Sequence, residues 1–358
     1  LKMIAKARQL DKLFNTFVHG ILKFVHKGRI HAEINQIRSE KGGTVTGRFS
    51  MSNPNLQQIP SRSDQGNKIR SLFLPEEDHK WASFDYSQQE PRLVVHYALK
   101  NGLHGAEDMA DEYNENIDTD FHEIVARMAK ITRKQAKTIN LGLFYGMGKN
   151  KLARSLELED DEAKELFNQY HTKVPFVKKL SNGLQEFAEK NKNIFTLEDR
   201  FCRFDRWEPV NKEWNGEKGV FEVSEYKEVE GKKQIVKVPV PILKRHEAEN
   251  RYLANKVKNQ EANDPHCKNF EDYYRPAFTY KALNRLIQGS AADMTKKAMV
   301  LLFEQGIVPH IQIHDELCFS IKTEKQANKI KKIMEDAIKL KVPNKVDYES
   351  GPNWGTIT

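Results

Sequence analysis

Three carboxylates stand where strands are expected to end. The segment His310–Ser320 (HIQIHDELCFS) alternates apolar and polar residues around Asp315 and Glu316, the pattern of a β-hairpin with an acidic tip. Far upstream, KWASFDYSQQEPR (80–92) runs through Trp81, Ala82 and Phe84 to Asp85, just before a helix-start signal. Carboxylate oxygens are the hard donors that Mg²⁺ takes, so two strand-end aspartates returned to one sheet could share divalent cations. Read singly, an acidic hairpin tip is also an ordinary solvated turn, and an acid before a helix also complements the helix dipole.

A second set is cationic. In TRKQAKTINLGLFYG (132–146), Arg133, Lys137, Leu141 and Tyr145 follow one another at i, i+4 steps and drift slowly along one helix face. Such a stripe is either a solvated basic face or a nucleotide cradle, with guanidinium and ammonium on phosphate oxygens and apolar surface on sugar and base. The neighbouring GLFYGMGKN is not a Walker phosphate loop, because Leu143 stands where that motif needs Gly and Asn150 where it needs Ser or Thr. Thr46-Gly47-Arg48 and Gln288-Gly289-Ser290-Ala291-Ala292 each set one donor side chain among small residues that allow close backbone approach or simple packing. Ser87-Gln88-Gln89-Glu90 reads as an S-x-x-E capping box.

The elements that must position these groups follow from periodicity. Ala5–His26 has apolar residues at helical spacing, and Arg29–Ile37 alternates as a strand does. An irregular stretch over 38–70 carries turn signals at Gly42-Gly43 and Asn53-Pro54. Helical runs fill 104–190, with Glu159-Asp160-Asp161-Glu162 marking a helix N-terminus. Between Glu208 and Phe270 the chain turns highly charged, and Val220–Val229 with Lys232–Val240 predicts a hairpin inside an insertion. Tyr280–Phe303 and Glu324–Leu340 are helical patterns, and no internal repeat is evident.

Composition sets outer bounds. The 358 residues suffice for two or three lobes. With 58 basic against 50 acidic residues the net charge is +8, which suits a polyanionic partner. Three cysteines without a CxxC spacing exclude a disulfide scaffold and a structural zinc finger and point to a reducing compartment. No apolar run approaches the roughly 18 to 20 residues of a membrane span, and the first residues lack a signal-peptide pattern, so a soluble protein with no membrane partner is expected.

Taken together, TGRFSMSNPNLQQIP (46–60), DYSQQEPR (85–92), RKQAKTINLGLFYG (133–146), LIQGSAAD (286–293) and HDEL (314–317) resemble the ordered motifs of the family A DNA polymerases, the bacterial DNA polymerase I and phage replicase group. The similarity runs from about Arg8 to Trp354, leaving out 208–270. It implies an α+β right-hand fold: the end of a thumb at 1–28, palm at 29–103, fingers at 104–279 with the charged insertion 208–270, and palm again at 280–358. It implies a DNA-directed DNA polymerase that adds dNTPs to a primer 3′ end on primer-template DNA, and two Mg²⁺ ions, replaceable by Mn²⁺, held by Asp85, Asp315 and the Tyr86 backbone carbonyl. Glu316 is expected to support rather than to ligate.

By the same resemblance Arg133, Lys137 and His122 hold the triphosphate, with Lys137 catalytic as well. Tyr145 stacks near the templating position, Glu90 excludes a 2′-hydroxyl, and Leu141 and Gln88 complete the nucleotide set. Arg48 and Gln288 match residues that probe the minor groove, where every base pair shows an N3 or O2 acceptor. Asn55, Arg62 and His314 join them as DNA contacts. The implied setting is the cytoplasm of a bacterium or phage-infected cell, or an organelle matrix, and the remaining thumb and the 3′–5′ exonuclease are expected to be either missing or on an upstream chain. Leu141, Gln89 and Pro91 depart from the family's usual Phe or Tyr, Ile and Leu. A single-subunit RNA polymerase and a non-catalytic DNA-binding subunit are the rival readings.

Overall fold

The computed structural model describes residues 2–39, 42–61, 63–145, 149–216, 218–229, 232–261 and 269–357. Arg62, Gly146–Gly148, Glu230-Gly231 and the His266-Cys267 pair therefore lie outside the described residues. The chain divides into two compact units, one made of 1–180, 196–200 and 284–358, the other of 181–195 and 201–283.

The first unit is organised by one antiparallel sheet. Strand β1 (Lys80–Tyr86) is followed by helices α1 (Gln89–Lys100), α2 (Phe121–Ala129) and α3 (Arg133–Phe144), with further helices at Ala106–Glu115, Lys149–Leu156 and Asp160–Lys173. Late in the chain come α4 (Ala282–Glu304), strands β2 (Ile311–Ile313) and β3 (Glu316–Ile321), helix α5 (Glu324–Asp336) and strand β4 (Val346–Gly351). The strand order is β2-β3-β1-β4, so the first strand in sequence lies between two of the last three.

The register is what matters for chemistry. Asp85 faces Glu316 on one side and Asp347 on the other, and Ser83 likewise faces Cys318 and Glu349. Residues level with one another across antiparallel strands share a face, so the acids lie in rows on one side of the sheet. The other side is apolar: Phe84 stacks on Tyr348 at 5.0 Å and meets Phe319 edge-on at 5.6 Å. Helix α5 closes that side, the Tyr86 hydroxyl donating to the Met334 carbonyl at 2.7 Å. Further along the acidic face Trp81 stacks on the buried Trp354, which also takes the Arg70 guanidinium at 4.2 Å.

Helix α1 is buried on nearly every side, and its start corrects the sequence reading. The S-x-x-E capping box does not form. Gln88 is the N-cap in a left-handed conformation (φ 52°) with no side-chain cap bond, and the Glu90 carboxylate goes elsewhere. Pro91 consequently sits in the first helical turn, where backbone N–H groups have no helical partner, and removes nothing. The buried Arg92 anchors this start by donating to the carbonyls of Ser87 (2.9 Å), Pro343 (2.7 Å) and Ile117 (2.7 Å). Gln89 is buried as well and reaches the Ala291 carbonyl of α4 at 3.3 Å, which accounts for an amide where the family usually has an aliphatic group.

At the N-terminus the predicted helix is real but passes through a π-helical stretch at Leu13–His19. The strand expected over 29–37 is two short strands, Arg29–Ile30 and Glu33–Asn35.

The second unit begins earlier than the insertion boundary of 208. Its core of Trp207, Leu243, Ala248 and Tyr274, flanked by Tyr252, Phe270 and Tyr273, draws on residues from both edges of the insertion, so the charged segment is no appendage. Strand Arg206–Pro209 lies between Leu243–Lys244 and Tyr274–Pro276. The hairpin predicted from alternation is present as Val220–Val229 and Lys232–Pro239, in the register Val229 to Lys232, with Glu213–Asn215 as a third strand.

Candidate active site

Asp85 and Asp315 meet at one end of the sheet. Asp315 lies in the turn between β2 and β3, its carbonyl accepts the Tyr86 N–H at 3.4 Å, and Asp85 is level with the next residue, Glu316. His314 makes the turn possible in a left-handed conformation (φ 56°), and its carbonyl accepts from the Gln312 side chain at 2.6 Å.

The acids lie against a cleft of about 390 Å³ lined by Asp85, Glu316, Asp347, Glu349, Ser83 and Arg70, among others. Asp85 is exposed in this cleft, yet the surrounding protein removes enough hydration from its carboxylate to raise its pKa, and Asp315, Glu316, Asp347 and Glu349 raise it further. Asp315 is also raised, first by burial and then by Glu90 and Glu316, while its own backbone N–H and Arg48 oppose the shift. One oxygen of Glu316 is engaged by the Ser83 hydroxyl at 2.5 Å and the Cys318 thiol at 3.2 Å. Asp347 is paired with Lys345 at 2.7 Å.

This donor set fits a hard divalent cation. The ligands are carboxylate oxygens, and their mutual repulsion is what a cation would offset. Among the described residues no three His, Cys, Asp or Glu side chains converge on one point, and Mg²⁺ sites commonly take only one or two carboxylates from the protein, with water and substrate phosphates completing the shell.

A second layer stands over the acids. The Glu90 carboxylate accepts from Arg48 Nη2 at 2.7 Å through one oxygen and from the Tyr145 hydroxyl at 3.1 Å through the other. Both partners of the Arg48–Glu90 pair are mostly buried, at 19% and 13% side-chain exposure, so this ion pair is not a screened surface contact. Tyr145 is the C-cap of α3. Burial and Glu90 push its hydroxyl up to about 12, whereas Arg48 and a hydrogen bond with Gln288 pull the other way. Arg48, Glu90, Tyr145 and Gln288, scattered over the sequence, thus form one network.

Helix α3 begins with a true capping box, Thr132 with Gln135. Arg133 and Lys137 are exposed on it, near the end remote from Tyr145. His122 faces α3 from α2. Its ring is buried, Nδ1 lies 3.0 Å from Asn140 Nδ2, and Asn140 Oδ1 accepts from the Tyr170 hydroxyl at 2.5 Å. With the Asn140 amide oriented by Tyr170, Nδ1 is the acceptor and the imidazole proton sits on Nε2. Burial, followed by Lys137 and Arg133 against an opposing Asp120, lowers the His122 pKa to about 4, so the ring is neutral.

Two residues expected to touch ligand are partly committed elsewhere. Gln88 donates to the Thr119 carbonyl (2.8 Å) and accepts from the Phe121 N–H (2.8 Å), which makes it a brace for the α2 start. Asn55 caps the short helix Leu56–Gln58 through the Gln57 N–H at 3.2 Å.

Other contributors were not singled out from the sequence. Asp347 and Glu349 line the acidic cleft, and their only signal was the alternation Asp-Tyr-Glu in a late strand. Arg200 was not visible at all. Its Nε donates to the buried Asp293 (2.8 Å) and its Nη2 to the Gly289 carbonyl (2.8 Å). A β-carbon at Gly47 would collide with that guanidinium, and one at Gly289 would lie 2.7 Å from Thr196 Cγ2, so both glycines are required by close approach. Arg200 therefore binds the backbone beside Gln288 and packs against Gly47, next to Arg48.

The profile of DNA polymerase family A matches residues 1–221 and 241–356. The chain belongs to DNA polymerase family A. The unmatched residues 222–240 are the greater part of the two-stranded hairpin. Among curated relatives of the family, a DNA-directed DNA polymerase of Pseudomonas phage M6 is 33% identical over 401 residues, covering 99% of this chain and 51% of the relative. DNA polymerase I of Geobacillus stearothermophilus is 31% identical over 361 residues, covering 97% and 34%. In structure, the POL domain of Pol1 from M. smegmatis, solved in complex with DNA primer-template and dNTP, superposes with a TM-score of 0.68 at 26% identity, over 97% of this chain and 52% of that one. The α+β fold is thus that of the family's polymerase domain, and the chain spans a third to a half of these relatives' length.

Proposed function

We propose that this chain extends a DNA primer at its 3′ end, copying a template from dNTPs and releasing pyrophosphate. The observation that carries the reading is the convergence of Asp85 and Asp315 at the end of one sheet, beneath a helix whose far end presents Arg133 and Lys137. Helix α3 rises roughly 18 Å over its length, room for a triphosphate, sugar and base to lie along one face.

Each group then has work suited to its surroundings. Asp85 and Asp315, with the Tyr86 carbonyl, would hold Mg²⁺, which when bound acidifies the primer hydroxyl and stabilises charge on the departing phosphates. Arg133 and Lys137 offer charge-assisted hydrogen bonds to triphosphate oxygens. The neutral His122 adds one directed donor, its Nε2–H. Glu90, fixed from two sides by Arg48 and Tyr145, presents a rigid wall beside the sugar where a 2′-hydroxyl would otherwise fit. Arg48 and Gln288 carry donors that can test base-pair shape without reading sequence.

Primer extension with dNTPs and NTPs offered separately tests the proposal. Incorporation of dNTPs, lost in Asp315→Asn while primer-template binding persists, is the expected result. Preference for NTPs would make the chain an RNA polymerase, and an undiminished Asp315→Asn enzyme would remove the metal assignment.

A further inference from the structure

Arg133 does not hang free at the start of α3; one carboxylate holds it. Asp120 is the N-cap of α2, and its two oxygens divide their duties. Oδ1 accepts the backbone N–H of His122 at 2.8 Å and of Glu123 at 3.1 Å. Oδ2 accepts from Arg133 Nε at 3.1 Å and Nη2 at 2.5 Å, while Glu123 stands 3.9 Å from Nε. Burial alone would raise the Asp120 carboxyl, but Arg133 and the capped N–H groups outweigh it and hold the group below its ordinary value.

A guanidinium has five N–H donors. Oδ2 engages Nε and Nη2, so both Nη1 hydrogens and the second on Nη2 are left for another partner. We propose that Asp120 is a positioning residue for the incoming nucleotide: it pins one edge of Arg133 so that the other edge faces the phosphates, and it fixes α2 so that His122 Nε2–H serves the same anion. This rests on the assignment of Arg133 to the triphosphate. Arg133 is half exposed, at 50% of its side chain, so without a tether its long stem would have to be ordered by the nucleotide at the moment of binding. A side chain ordered in advance spares the ligand that entropy.

Asp120→Asn separates the two duties. Asparagine caps a helix about as well as aspartate, so Oδ1 keeps its role, but a neutral NH₂ then confronts the Arg133 donors. With saturating primer-template, Asp120→Asn is expected to raise the dNTP KM roughly threefold to tenfold, the range that one immobilised long side chain accounts for, with kcat changed less than twofold. Arg133→Ala should raise KM more, and the double variant should match Arg133→Ala alone. A lowered KM in Asp120→Asn would show that the carboxylate competes with phosphate, and a full additional effect on the Arg133→Ala background would show that it acts by another route; either overturns the inference. If Arg133→Ala raises KM and Asp120→Asn does not, positioning fails while the triphosphate assignment stands. If Arg133→Ala leaves KM unmoved, the triphosphate assignment itself fails.

Discussion

His96 should make the protein acid-sensitive in a way that one substitution can cancel. The ring lies in α1 at 7% exposure, and its Nδ1 accepts the Lys341 backbone N–H at 3.0 Å. Burial first, then Lys100 and Lys341, lowers its pKa to about 4. The free imidazole titrates near 6.5, so between the two values the unfolded chain binds the proton that the folded one refuses. The stabilisation is therefore complete above about pH 6.5 and is lost as the pH falls toward 4. Linkage places the loss at about 2 kcal/mol by pH 5. Urea denaturation followed by tryptophan fluorescence at pH 7.5 and 5.0 measures it, with His96→Asn as the comparison, since Asn Oδ1 can still accept from Lys341. Asp85, whose raised pKa works in the opposite direction, is present in both proteins and drops out of the difference. The fall in stability should be about 2 kcal/mol smaller in His96→Asn. An equal fall in the two proteins would refute the argument, whatever their stabilities at pH 7.5.

Tyr170→Phe leaves the Asn140 oxygen buried without its donor. It should cost about 1 to 3 kcal/mol in the same denaturation assay and raise the dNTP KM, because the Asn140 amide is then free to flip and the His122 tautomer is no longer imposed. Glu90→Ala removes the wall beside the sugar and should narrow the ratio of kcat/KM for dNTP over NTP by at least tenfold, on the scale of one lost discriminating contact; an unchanged ratio would take that role from Glu90. Replacing residues 226–235 with Asn-Gly joins the facing residues Glu225 and Val236, a hydrogen-bonded pair of the same parity as Val229 and Lys232, through a turn suited to a two-residue hairpin. The Arg251–Glu225 pair lies outside the removed tip and is kept. Thermal melting and primer extension should both be nearly unchanged, and a large fall in extension alone would mean that the tip grips nucleic acid.

Patterns that are local in the chain were legible from sequence. The 310–321 hairpin, the 220–239 hairpin and the helix over 133–144 each carry their period in consecutive residues, and family resemblance supplied the link between Asp85 and Asp315 that no local pattern contains. What stayed hidden depends on partners distant in sequence. Glu90 read as a capping acid because Ser87 stands three residues before it, whereas burial beside Arg48 and Tyr145 gives its carboxylate stronger partners than a backbone N–H. The brace that Gln88 makes to the Thr119 carbonyl and the Phe121 N–H was equally hidden. Asp347 and Glu349 join the acidic row only because β4 pairs with β1, a register fixed by the apolar stack on the opposite face. The core that Trp207 and Tyr274, on either side of the charged insertion 208–270, share with Leu243 and Ala248 inside it carries no local signal.

Arg200 fills the space that a side chain at Gly47 would need and shares with Thr196 the space at Gly289, and that crowding constrains how this protein can diverge. A larger residue at Gly289 needs Thr196 as well as Arg200 to give way, one at Gly47 must also bear a left-handed backbone (φ 80°), and a smaller residue at 200 releases Asp293 before either glycine has changed. Substitutions tested one at a time will make all three positions look immutable. Chimeras with relatives should therefore exchange the segments around 47, 200 and 289 together, since a hybrid that mixes parental versions of this trio inherits a void or a collision that neither parent has.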